Sequence, residues 1–356
     1  MKKLIYLLFL FSFLFSSCKS KKNLVVSPSY PILNADSLYS DTSTLSSTLF
    51  APDYSTLKNP ERSKKRQKQS KPVVARPSVL AGTAPGTLIT HSEVSVSSAY
   101  KGVDRVVKYD FTHRDVPEAF DGFRIAFISD FHYKSLFKEK ELAGLVRLLI
   151  AEQADVLLMG GDYQEGCEYV PELFAALSQV KTPMGTYGVM GNNDYERCHD
   201  DIVREMQRYG MRVLEHRVDT LKREGQQILI AGVRNPFDLK QNAKSPTLDL
   251  SPEDFVILLV HTPDYVEDVS VANTDLALAG HTHGGQVRIF GYAPIIPSHY
   301  GSRFLTGLKY NTANIPMIVT NGLGTSNRNI RRALTEGKDV RYFLHPAVYR
   351  LLRAEL

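Results

Sequence analysis

The chain has 356 residues, 43% hydrophobic and 23% charged, with a formal net charge of +5, which is an ordinary globular mixture long enough for one large domain or two modest ones. The charge is uneven: residues 1–71 hold 12 basic residues against 4 acidic ones, and the rest of the chain holds 31 against 34. The part that folds therefore carries no overall positive field for a polyanion, and no nucleic-acid partner is expected; a binder acting through the basic run Arg62 to Lys71 is the least favoured alternative.

In chain order, Met1-Lys2-Lys3 and the apolar run Leu4 to Phe15 come first. The run is shorter than the roughly 20 residues a bilayer-crossing helix needs, and reads as an export signal. Phe15-Ser16-Ser17-Cys18 has the pattern of a bacterial lipoprotein cleavage box. Residues 1–18 are thus expected to be a signal peptide, with lipidated Cys18 as membrane anchor and the remainder exported to the cell envelope; the alternative is an uncleaved signal anchor with an incidental cysteine. Residues 19–104 are rich in Ser, Thr, Pro and Lys and lack a sustained period, so a disordered tether is expected, with a root-mean-square reach of roughly 50 Å. Its basic run, Arg62 to Lys71, has no aromatic interleaving for stacking bases and reads as solvated spacer.

The texture changes after Asp104, and residues 105–356 are expected to form one domain. Strand-like runs at Arg124–Ile128, Asp155–Met159, Thr186–Val189, Gln227–Gly232, Phe255–Val260, Leu276–Ala279, Val287–Phe290 and Met317–Thr320 alternate with helical patterns at Glu139–Glu152 and Asp200–Tyr209. Such alternation predicts an α/β domain. Two cysteines remain, Cys167 and Cys198. One bond between them is open to the chain, but two unpaired buried thiols are the expectation.

The informative pattern is where polar residues sit relative to these strands. Five apolar runs end in Asp, Asn or His flanked by small residues: Ser129-Asp130-Phe131-His132, Gly160-Gly161-Asp162, Gly191-Asn192-Asn193-Asp194, Val260-His261-Thr262 and Gly280-His281-Thr282-His283. Ligands of an open α/β sheet bind beyond the carboxyl ends of its strands, so such junctions converge on one place. Any one of them alone is more often a turn or a packed histidine; the ordered set is what points to chemistry. Asp130, His132, Asp162, Asn192, His261, His281 and His283 mix hard oxygen with imidazole and contain no thiolate, a set suited to Mn, Fe, Zn or Co. Two divalent ions, bridged by Asp162 and about 3.5–4 Å apart, would generate a hydroxide and stabilise in-line displacement at phosphorus.

That ordered set resembles the calcineurin-like metallophosphoesterases, whose motifs are Asp-x-His, Gly-Asp, Gly-Asn-His-Asp/Glu, a lone His and Gly-His-x-His. The resemblance runs from about Asp104 to the low 330s. It implies a four-layer α-β-β-α sandwich of two mixed β-sheets flanked by helices. One ion would take Asp130, His132, Asp162 and His283, and the other Asp162, Asn192, His261 and His281. His261-Thr262-Pro263-Asp264, Gly284-Gly285-Gln286 and Gly322-Leu323-Gly324-Thr325-Ser326 resemble the exported or membrane-associated phosphodiesterase branch, whereas His345-Pro346-Ala347 departs from it.

The family's third motif carries a histidine after the metal-binding Asn, and this chain has Asn193 there. An amide can donate a hydrogen bond to a phosphoryl oxygen but cannot deliver a proton near neutral pH. Asn193 and Asp194 are the expected catalytic pair, Asp194 supporting the amide or a metal ligand from behind. Substrates with easily leaving groups, diphosphates or aryl phosphodiesters, are expected to react best. The substrate would be a phosphorylated small molecule or a lipid-linked one. A UDP-diacylglucosamine-type diphosphatase and a metal-site binding protein with little turnover are the alternatives. Tyr163, Tyr195 and Arg197, and with them Arg328, Arg331 and Arg332, stand close enough to the motifs to be candidates for touching substrate phosphate, arginine by paired hydrogen bonds, but solvated surface is the expectation.

Overall fold

The computed structural model describes residues 87–96, 100, 102–103, 105–234, 244–285 and 296–323. The first strands, β1 (Leu88–Ser95) and β2 (Arg105–Thr112), form an antiparallel two-stranded ribbon with Leu88 opposite Thr112. β1 lies inside the segment expected to be tether, so regular structure begins before residue 105. The ribbon is held chiefly by its backbone ladder and buries few side chains, Ile89 among them, which is why no apolar alternation announced it.

The next four strands are β3 (Ile125–Ile128), β4 (Val156–Met159), β5 (Thr186–Gly188) and β6 (Arg212–Val213), paired in parallel in that order. Parallel neighbours need a crossover, here supplied by helices. These are α1 (Glu139–Glu152), α2 (Val170–Leu177), and the pair α3 (Asn192–Arg197) and α4 (His199–Arg208). In α1, Leu142, Leu145, Val146 and Leu149 recur at helical spacing and are all buried. The carboxylate of Glu141 accepts the Lys138 amide at its start, and Gln153 ends it in the left-handed region with φ 50°.

The second sheet has six strands in the order β11-β12-β10-β9-β8-β7. β7 (Arg217–Arg223) and β8 (Gln226–Gly232) form an antiparallel hairpin. β9 (Val256–Leu259) and β10 (Leu276–Ala279) continue in parallel from β8, with the short helix α5 (Tyr265–Asp268) between them. β11 (Gly307–Tyr310) lies antiparallel to β12 (Pro316–Val319), which is parallel to β10.

The period of two along each strand sorts side chains into layers. Leu157 and Met159 of β4 pack with α1, α2 and α4, while Val156 and Leu158 face Ile228, Ile230, Ile257, Leu259, Leu276 and Leu278 of the other sheet. Val256, Leu258, Ala277 and Ala279 turn outward against Tyr265, Val266 and Phe304. Three buried clusters thus separate helix, sheet, sheet and helix, the expected sandwich. Burial of this order contributes roughly 1.5–3 kcal/mol per large apolar side chain.

The expected lipid anchor, and with it the envelope location and membrane partner, is not upheld. Among the described residues no helix is long and apolar enough to cross a membrane. Both described cysteines are consumed in one bond, Cys167 to Cys198, with S–S 2.03 Å, leaving no described thiol to carry a lipid. The same bond corrects the expectation of two unpaired thiols: the fold brings the two Cα atoms to 5.3 Å although they are 31 positions apart. Cys18, the run Arg62 to Lys71, the strand Val287–Phe290, Gln286, Gly324 to Ser326, Arg328, Arg331, Arg332 and His345 to Ala347 lie outside the described residues.

Candidate metal centre

All five polar junctions follow the carboxyl end of a strand. β3 leads to Asp130 and His132, β4 to Asp162, β5 to Asn192, β9 to His261, and β10 to His281 and His283. The first three strands are mutually parallel, as are the last two, so each sheet presents its junctions along one edge. The backbone turns abruptly there: Asp130, His132, Asp162, His281 and His283 all have positive φ, between 42° and 68°. Non-glycine residues seldom adopt this region, and their clustering marks a functional constraint.

The loops are knitted together by main-chain bonds. Asp130 donates its amide to Gly161 at 2.8 Å, His132 to Asp162 at 3.1 Å and Tyr133 to Tyr163 at 3.0 Å. Asp194, fully buried, accepts the amides of Asp162 and Gly191 on one oxygen, both at 2.8 Å, and that of Tyr163 on the other at 2.9 Å. The His281 amide donates to the Asp130 carboxylate at 3.0 Å, joining the two sheets across the site. Glycine is required at 161 and 191, since a Cβ on Gly161 would stand 2.3 Å from the Gly191 nitrogen and one on Gly191 only 2.1 Å from Asp162 Oδ1.

Six of the seven candidate ligands fall into two groups that share Asp162. Donor atoms of Asp130, His132, Asp162 and His283 lie within 4.8 Å of one another, as do those of Asp162, His261 and His281. The seventh, Asn192, places Oδ1 3.1 Å from His261 Nε2. This is a dinuclear metal-binding cluster. The polar atoms fit cations on three counts. His132 is bonded through Nδ1 to Glu165 at 2.5 Å, which leaves its buried Nε2 with no hydrogen-bond partner of its own. His261 gives its Nδ1 hydrogen to the Gly160 carbonyl at 2.7 Å, and its Nε2 faces His281 Nδ1 at 3.2 Å. His281 is itself hydrogen-bonded to the Pro297 carbonyl. Two ring nitrogens aimed at each other with their outer positions occupied fit a positive charge between them.

The electrostatics run the same way. Burial acts to raise the Asp162 carboxyl pKa, but the charge and hydrogen bond of His261, with the charges of His132 and His281, hold it far below the carboxylate range. Burial pushes Asp130 up, and Asp162 adds to that against the pull of His261. Burial would lower His132, yet its bond to Glu165 and the charge of Asp162 raise it to about 9. His261, opposed by burial in the same way, is raised by Asp162 to about 10. His281 is driven down to about 3 by burial and the charge of His261, and His283 well below its ordinary value by burial and His132. Without cations, protons on His132 and His261 balance the Asp162 charge; bound cations would displace them.

The remaining sequence-named residues divide. Asn193 donates Nδ2 to the Gln164 carbonyl at 2.7 Å, with Glu165 Oε1 at 3.5 Å, and its amide nitrogen to Asp162 Oδ1 at 2.9 Å. The expected donation to a phosphoryl oxygen therefore finds the side-chain amide already engaged inside the protein. Asp194 holds loop amides instead of a ligand side chain, and burial with the Asp162 charge pushes it up to about 7 against its backbone bonds. Tyr163 is buried and gives its hydroxyl to Val189 at 2.9 Å, so it is neither surface nor substrate contact. Tyr195 bonds Glu215 and stacks on His199, and Arg197 is exposed. Glu165 escaped the sequence reading: apart from standing three residues after Asp162, nothing local marks it. A further group, His113, Asp115 and Asp275, lies near the starts of β9 and β10, where His113 accepts the Asp115 amide and Asp275 the Val256 amide; it braces strands at the far edge from the site.

The calcineurin-like phosphoesterase family matches residues 123–285 of this chain. The uncharacterized metallophosphoesterase YkuE of Bacillus subtilis is 29% identical over 225 residues, covering 61% of this chain and 77% of that protein. An uncharacterized metallophosphoesterase of Aquifex aeolicus is 27% identical over 237 residues, or 64% of this chain and 87% of its own length. Phosphodiesterase YaeI of Escherichia coli is 29% identical over 176 residues, 47% of this chain and 63% of that protein.

Proposed function

Since the chain belongs to the calcineurin-like metallophosphoesterase superfamily and is a metal-dependent phosphohydrolase, we propose that it is a phosphodiesterase whose preferred substrates have leaving groups that need no protonation. The catalytic unit in this reading is residues 105–356. Asp130, His132, Asp162 and His283 hold one divalent ion, and Asp162, Asn192, His261 and His281 the other. The observation that carries the reading is Asp162, whose carboxylate belongs to both donor groups. A pair of divalent ions there supplies charge neutralisation for phosphoryl oxygens and an acidified water.

The chain's own residues do the rest. Asp194 and the Gly161–Gly191 contact fix Asp162 against the Asn193 amide. Hydrogen bonds to Glu165 and Gly160 set which nitrogen of His132 and His261 faces the centre. Asn193 has no proton to give near neutral pH, so a basic alkoxide would depart unassisted, whereas an aryloxide or a phosphate leaves as an anion. The relative named a phosphodiesterase supports the same substrate class.

The test is turnover of bis(4-nitrophenyl) phosphate and of an alkyl phosphate monoester by purified protein with Mn, Fe, Zn or Co. Diester hydrolysis that depends on metal and is lost in Asp162→Ala is expected. No turnover with any of the four metals, or a preference for the alkyl monoester, sinks the proposal.

A further inference from the structure

The histidines that enter the centre from the two sheets are buttressed differently. His261 gives its outer N–H to a peptide carbonyl, that of Gly160, and His281 is bonded to the carbonyl of Pro297. His132 gives its outer N–H to a carboxylate, Glu165 Oε1, at 2.5 Å. The placement of that carboxylate follows from the backbone. Residues 130–133 and 162–165 run as a short parallel ladder: His132 donates to Asp162, Tyr133 to Tyr163, and the Glu165 amide back to the Tyr133 carbonyl at 3.1 Å, with Tyr133 bridged to Gln164. This ladder carries Glu165 alongside the His132 ring. Asn193, on the third loop, reaches the same carboxylate oxygen, with Nδ2 3.5 Å from Glu165 Oε1 and 2.7 Å from the Gln164 carbonyl.

We propose that Glu165 is a positioning residue for the metal centre, a carboxylate that orients His132 and strengthens it as a donor, so that the ion held by Asp130, His132, Asp162 and His283 binds more tightly than the ion held with His261 and His281. Asn193 in this arrangement braces the carboxylate. A negative charge on the outer nitrogen raises the electron density offered by the inner one, and loss of such a partner lowers metal affinity about 10–100-fold in comparable sites. A neutral carbonyl does this less, and the two sites thereby become unequal. The inference rests on the ligand assignment proposed above.

The experiment measures metal affinity directly, without turnover. Metal-stripped protein is titrated with Co2+ by calorimetry and by visible absorption, and metal content is counted after dialysis. The wild-type protein is expected to take up two ions in resolved steps. Glu165→Gln keeps the shape and an oxygen acceptor but removes the charge; it is expected to weaken the tighter step about 10–100-fold, leave the other within threefold and alter the Co2+ spectrum. A merely structural Glu165 would be satisfied by Gln and neither step would move. Asn193→Ala leaves the carboxylate in place and is expected to weaken the same step severalfold, which keeps the test decisive if Glu165→Gln folds poorly. Two ions bound by the wild type with unchanged steps in both variants overturn this inference alone; fewer than two ions bound by the wild type overturn the ligand assignment as well.

Discussion

Replacing Gly191 by Ala adds one methyl group at the point where the shared carboxylate is most closely surrounded. Gly191 has φ −90°, a conformation open to any residue, so the effect is steric and not a matter of backbone strain. The new Cβ would stand 2.1 Å from Asp162 Oδ1, 2.6 Å from its amide nitrogen and 2.7 Å from Cγ, where real contacts do not fall under 3.0 Å. Asp162 has little room to yield, because Oδ1 accepts the Asn193 amide at 2.9 Å and its own amide donates to Asp194 at 2.8 Å. A displacement of about 1 Å in the group that serves both ions is expected to lower kcat/KM roughly 100-fold. Overpacking of this kind costs about 1–3 kcal/mol, which for a domain of this size lowers Tm by roughly 2–12 °C. The assays are diester turnover at saturating metal, metal content after dialysis and thermal denaturation. A Gly191→Ala protein that retains two ions and turns over within threefold of wild type would refute the claim that this contact sets the position of Asp162.

Two further outcomes follow from contacts away from the ligands. The Cys167–Cys198 bond spans 31 positions, and by the chain-entropy account its loss in Cys167→Ser/Cys198→Ser costs about 3–4 kcal/mol, read from urea denaturation with and without reductant; identical midpoints would show that the bond is not what ties these loops. His199 is raised to about 9 by its hydrogen bond to Glu215, with Asp200 assisting and burial opposing. A pKa raised on folding means that the stabilisation is fully present below the unfolded value of about 6.5 and disappears as pH rises toward 9. With its side chain 27% exposed, about 1 kcal/mol is expected after screening; His199→Gln in the metal-loaded protein should flatten the fall in stability across that interval, and an unchanged slope would exclude the pair as its source.

What the sequence disclosed and what it withheld divide along the range of the interactions. The seven donors were legible because each follows an apolar run by one to a few residues, a local pattern that the strand ends convert into a common edge. The helix from Glu139 to Glu152 was legible for a similar reason, its apolar residues and its ends all lying within one segment. β7, Arg217 to Arg223, was not: four of its seven residues are charged and Leu221 alone is fully buried, so its pairing with β8 is written in the partner strand. The disulfide and the role of Glu165 depend on loops from different strands lying side by side, which no spacing expresses. Asn193 shows the limit most clearly, for its residue type was read correctly as a poor proton donor while the direction of its amide, toward Gln164, belongs to the folded loop.

The positive φ values of Asp130, His132, Asp162, His281 and His283 explain why so much of the surrounding structure is devoted to holding loops. A left-handed backbone at a non-glycine residue costs about 1–2 kcal/mol, and glycine, which would remove the cost, has no side chain to bind an ion. The centre therefore concentrates several kcal/mol of local strain together with two buried carboxylates, Asp130 and Asp162, the charge of the second raising the first one's cost of ionisation. The groups that oppose this are those around the ligands: the Asp194 carboxylate gathering three amides, the parallel ladder from Asp130 to Glu165, and the glycines that let Asp162 and Gly191 touch. Cations bound among the ligands would relieve the carboxylate repulsion in the folded chain alone, since the unfolded chain offers no preformed site. Metal binding and loop stability are thus one equilibrium, and a substitution that loosens a loop is felt as lost affinity even when every ligand is still in the sequence.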